Sequence, residues 1–105
     1  MISGAARLVR QLYCQRILKQ IDIYKKMPES ELEKITSKYE SKNFFRKFFD
    51  FYSNANADYK AAKAIKNMRK LGLVDFKLEK NTVFGLYDEL SRLEKSACAI
   101  SQTSL

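Results

Sequence analysis

Histidine, the side chain that most readily shuttles protons near neutrality, is absent from all 105 residues. What remains for chemistry is two cysteines, Cys14 and Cys98, and two close carboxylate pairs, Glu29/Glu33 and Asp88/Glu89. The thiols stand 84 positions apart, with no imidazole to activate them or to share a metal ion. Their spacing therefore builds neither a Cys–His nucleophile nor a zinc site, and two free thiols, buried or half-exposed, are expected. The carboxylate pairs fall on predicted helix ends and exposed faces, where they act as solvated charge and helix-dipole support. Neither a P-loop nor a glycine-rich dinucleotide fingerprint is present. The expectation is a non-enzyme with no catalytic residue, no metal and no intrinsic cofactor.

The residues left for function act without bond making. Twenty basic and 12 acidic side chains give a net charge of +8, distributed unevenly. Residues 1–26 carry +5, 27–41 carry −2, 42–52 carry +2, 53–72 carry +4 and 73–105 carry −1. Two basic blocks flanking an acidic one suit an anionic partner: an acidic protein, RNA or an anionic membrane face. Lys60, Lys63, Lys66 and Lys70 recur on one side of a predicted helix and form a candidate basic face. Segment 44–52, FFRKFFDFY, places six aromatics in nine positions around Arg46 and Lys47. So many rings overfill one stripe, so they form core between helices or line a ligand groove. Stacking on RNA bases is the other use of such rings.

These residues must be carried by helices, because one proline and three glycines interrupt the chain. A first helix over 5–24 gathers Val9, Leu12, Tyr13, Ile17, Ile21, Ile23 and Tyr24 on one broad face. Pro28 marks the start of a second helix over about 29–53, with Ser30 and Glu33 spaced as a capping box. Segment 53–58, SNANAD, reads as a turn and cap cluster before a third helix over 59–71. Gly72 fits a left-handed C-cap with Leu73 folding back. A fourth helix begins near Asn81 or Thr82, and 97–105 reads as a frayed tail. Segment 74–78 alternates too briefly to make the β-hairpin of a winged helix. The expected fold is one all-α domain over 1–105, with three long antiparallel helices and a shorter C-terminal helix. No apolar run approaches the ~20 residues that cross a bilayer.

The first 21 residues hold Arg7, Arg10, Arg16 and Lys19 and no acid. A cationic, acid-free, amphipathic start resembles a mitochondrial import signal. Its firm apolar face and the lack of a clear boundary predict that 1–26 is retained as a structural helix. The expected location is mitochondrial, on the matrix side or peripheral to the inner membrane.

Leu12-Tyr13 on an early helix and Phe45-Arg46-Lys47-Phe48-Phe49 on a later one resemble the LYR-motif family. Its hallmark is Leu-Tyr-Arg near the N-terminus, with a downstream phenylalanine. Here Cys14 stands in the arginine position, and Arg10, one turn earlier, lies on nearly the same face. The resemblance implies a three-helix adaptor that docks acidic mitochondrial acyl carrier protein, whose acylated phosphopantetheine inserts among the helices. Tyr13 and Phe48 would then line the groove, Arg10, Arg46 and Lys47 would supply docking charge, and Leu12 and Phe45 would complete the partner-binding set. The expected function is an accessory subunit or assembly factor of a large mitochondrial complex, the respiratory chain first. The alternative is an RNA-binding structural component of the mitochondrial ribosome.

Overall fold

A computed structural model describes residues 4–42, 52–73 and 82–103. Within them run α1 (Gly4–Tyr24), α2 (Glu29–Glu40), α3 (Asn54–Lys70) and α4 (Val83–Thr103). The all-α fold is as expected, and no strand occurs among the described residues. The lengths fall differently. Helix α4 has 21 residues, as many as α1, and continues through Thr103, whereas α2 has only 12. Most of 44–52 and all of 74–78 lie outside the described residues.

Helix α3 is the hub and touches α1, α2 and α4, whereas α1 and α2 make little direct contact. Its alanines explain why. Ala57, Ala61, Ala62 and Ala64 are buried and have no bulk to hold neighbouring backbones away, with Ile65 and Met68 completing the surface. The contacts fix the directions. Tyr13 meets Asn56, Arg16 meets Asp58, and Arg69 reaches the Lys25 carbonyl, so α1 and α3 run in the same sense. Tyr39 meets Asn56, Glu33 meets Lys66 and Glu29 meets Arg69, so α2 runs antiparallel to α3. The first three helices thus go up, down and up. Helix α4 starts at the same end as α1 and α3, with Thr82 to Phe84 beside Arg7 to Cys14.

The core follows helical spacing. Tyr13, Ile17, Ile21 and Tyr24 face inward from α1, with Leu32, Thr36 and Tyr39 from α2 and Val83, Leu86, Leu93 and Ala97 from α4. Ile17, Leu32, Ile65 and Leu86 are fully enclosed, each contributing about 1.5–3 kcal/mol through burial. The predicted apolar arc of α1 was too wide. Val9, Leu12 and Ile23 are exposed, and Cys14 is buried in their place.

The helix ends divide the predictions. The C-terminus of α3 closes as expected: Gly72 has φ +71°, its amide bonds the Arg69 carbonyl, and the Leu73 amide bonds that of Met68. At the other end α3 starts at Asn54, five residues before the expected position, because the Ser53 hydroxyl accepts from the Asn56 amide. The capping box of α2 does not form. Pro28 is itself the N-cap, its carbonyl taking the Glu31 and Leu32 amides, while Glu33 is drawn away by Lys66 and Ser37. That helix closes at Glu40 rather than near Ser53.

Candidate functional site

The N-terminal half of α1 carries three uncovered apolar side chains close together. Leu8 and Leu12 are each 54% exposed and Val9 is 48% exposed. Leu8 and Leu12 are one turn apart and share a face, with Val9 beside them. On another flank of α1, a cleft of about 370 Å³ is lined by Arg7, Arg10, Gln11 and Cys14 and by Val83 and Phe84 of α4. Phe84 is 80% exposed at its rim. Arg7, Arg10 and Lys19 make no ion pair among the described residues.

Of the predicted partner-binding set, the three described members, Arg10, Leu12 and Tyr13, do not share a face. Arg10 is half-buried at the α1–α4 cleft, whereas Leu12 lies on the outward face, since two positions turn a helix by ~200°. Tyr13 does not line an open groove. It is 3% exposed in the core, with its ring edge-on to Tyr52 and Tyr87. Phe45, Arg46, Lys47 and Phe48 lie outside the described residues. Cys14, in the position of the hallmark arginine, is buried, and burial pushes its thiol pKa up. Cys98 is exposed, and the two thiols are free. Sequence reasoning passed over Leu8 and Phe84; the Leu8–Leu12 spacing was the signal for the first.

A polar network runs through the packed end of the bundle. The Tyr13 hydroxyl donates to Asn56 Oδ1 and lies 2.8 Å from the Tyr87 hydroxyl, while Asn56 Nδ2 donates to the Tyr39 hydroxyl at 2.7 Å. One asparagine thereby ties α1 and α2 to α3, and Tyr87 adds α4. Burial, then the bond with Tyr87, pushes the Tyr13 pKa far above the usual phenol value. Beside it, Arg16 grips Asp58 through two bonds of 2.9 and 3.1 Å, and Gln20 donates to the same carboxylate at 3.0 Å. The hydrogen bond to Asp58 raises the Arg16 pKa. Such a fork explains the local register of α1 on α3. The sequence offered no signal for it, since the partners are 42 positions apart.

The expected basic face is mostly matched from within. Lys66 donates to Glu33 at 2.6 Å, and that bond holds the Glu33 carboxyl below its ordinary range. Lys63 lies 3.5 Å from Glu94 and 3.9 Å from Glu40, and Arg69 is 2.8 Å from Glu29. Lys60 rests over the Tyr87 ring, 5.1 Å from its centroid. Of the four predicted lysines Lys70 alone is exposed, and the other three are half-buried. Being central, α3 turns its lysines toward acid-bearing neighbours on both sides, so they do not form an open stripe.

No group of His, Cys, Asp and Glu among the described residues is arranged to hold a metal ion. No described helix is long and apolar enough to cross a membrane. Comparison with family models, curated proteins and solved structures returns no match to this chain.

Proposed function

We propose that this chain is a non-catalytic accessory subunit or assembly factor of a large mitochondrial complex of the respiratory chain, attached through the outward face of α1. The observation that carries the reading is the uncovered Leu8, Val9 and Leu12 on α1, within a stretch, residues 1–21, that contains four cations and no acid. Contiguous exposed apolar side chains rimmed by charge mark interaction surfaces. The acid-free start favours mitochondrial import, and the uncompensated Arg7, Arg10 and Lys19 favour an acidic partner such as acyl carrier protein. The RNA-binding alternative loses support, because three of the lysines it relied on face α3's own neighbours.

The test tags the full chain in its own cell, extracts membranes with mild detergent and sizes the assembly with and without nuclease. Co-migration with a respiratory complex that resists nuclease is expected. The double variant Leu8→Asp, Leu12→Asp should fall out of that complex. Both positions are exposed, so each change should alter stability by no more than about 0.5 kcal/mol. Dispersal by nuclease would overturn the reading in favour of RNA, and unchanged association of the variant would remove α1 as the attachment face.

A further inference from the structure

A second feature shares no lining residue with the attachment face. Between α3 and α4 lies a cavity of about 330 Å³ with Tyr59, Lys60, Lys63, Tyr87, Leu90 and Glu94 in its walls. Its volume is at the lower end of small-molecule sites, about 300–1,000 Å³. The cations are unequally satisfied. Lys63 has Glu94, Glu40 and the Tyr59 hydroxyl around it, whereas Lys60 makes no ion pair among the described residues; it rests on the Tyr87 ring and feels Glu94 only at longer range. Burial pushes the Lys60 pKa down, so desolvation of this ammonium is not fully offset. A partly desolvated cation that makes no ion pair, at the wall of an open cavity, favours an incoming anion. The single carboxylate in the wall, Glu94, is half exposed and can turn to solvent.

We propose that the α3–α4 cavity binds a small organic anion, a carboxylate or phosphate monoester, with its charged group between Lys60 and Lys63 and its body against Tyr87 and Leu90. Lys63 is already matched by Glu94 and Glu40, so it is Lys60, which makes no ion pair among the described residues, that sets the sign of the ligand. The aromatic and aliphatic wall favours an organic body over a bare inorganic ion.

The test titrates the full-length protein with phenyl phosphate, benzoate, inorganic phosphate and, as the neutral control, benzyl alcohol, following the ring resonances of Tyr59 and Tyr87. Saturable shifts with phenyl phosphate or benzoate are expected, and the stronger of the two identifies the phosphate or carboxylate class. Lys60→Met should weaken that binding by about tenfold or more, equivalent to at least 1.4 kcal/mol. The unliganded Lys60→Met protein should melt no lower than the parent, because it loses a partly desolvated charge that makes no ion pair. Glu94→Gln, an exposed change that leaves the fold intact, should tighten binding by removing the competing carboxylate. Equal response to benzyl alcohol, undiminished binding by Lys60→Met, or no saturation by either organic anion would overturn the proposal. Weaker binding by Glu94→Gln would do the same.

Discussion

Replacing Asn56 by alanine removes both arms of the link between α1, α2 and α3. The Tyr13 hydroxyl loses the bond it donates to Oδ1 but keeps Tyr87 at 2.8 Å. The Tyr39 hydroxyl loses its bond from Nδ2 and is left in a residue only 8% exposed. One replaced hydrogen bond costs about 1 kcal/mol, and a buried hydroxyl left without a partner costs about 1–3 kcal/mol. Against this, alanine in a first helical turn recovers roughly 0.5 kcal/mol of helix propensity. The net loss is about 2.5 kcal/mol, a large share of the roughly 5–15 kcal/mol that holds a domain folded. Urea denaturation followed by far-ultraviolet circular dichroism reads it directly. With a slope near 2 kcal/mol/M, the midpoint should fall by about 1.2 M. Tyr87→Phe is the internal comparison. It removes one bond and leaves Tyr13 engaged with Asn56, so its loss should stay near 1 kcal/mol. A cost below about 0.5 kcal/mol for Asn56→Ala, or an equal cost for both variants, would refute the network as the tie between helices.

Alkaline titration probes the same region. Burial pushes the pKa values of Tyr13, Tyr24, Tyr59 and Tyr87 up, so their contribution to stability is complete below the ordinary phenol value of about 10. As pH rises above that value the unfolded chain ionises first and stability is lost, so most tyrosinate absorbance should emerge together with unfolding rather than before it. Gly72→Ala should cost about 1 kcal/mol in thermal or urea unfolding, because an added Cβ meets nothing within 4 Å and the penalty comes from φ +71° alone. Thiol titration with a colorimetric disulfide should find one reactive group, Cys98, in the native protein and two in denaturant, since Cys14 is enclosed.

What the linear sequence carried well was local. Gly72 after an alanine- and lysine-rich helix required a left-handed closure, and the 13, 17, 21, 24 spacing placed the inward face of α1. What it hid depends on residues far apart in the chain. Ser30 and Glu33 satisfy the spacing of a capping box, but Lys66, 33 positions later, offers Glu33 a charged partner and wins. The lysines of α3 alternate with alanines as a solvent face would; only the third dimension puts Glu29, Glu33, Glu40 and Glu94 opposite α3's cations. Asn56 reads as a turn residue because short polar side chains favour caps, yet it is the junction of three helices. The candidate attachment face was half legible. Leu12 was seen, but not that Leu8 rather than Tyr13 accompanies it at the surface, nor that Arg10 turns away into the α1–α4 cleft.

The central place of α3 dictates an order of events as the chain emerges. Helices α1 and α2 scarcely meet, and α1 is held to α3 by bonds joining residues 38 to 44 positions apart. Ile17, Ile21 and Tyr24 therefore cannot complete their packing until synthesis has passed Lys70. Closure of loops this long is slow for a helical protein, so the rate of folding is set by when α3 docks. Substitutions in its alanine surface should slow folding, whereas changes confined to the far end of α4 should chiefly hasten unfolding.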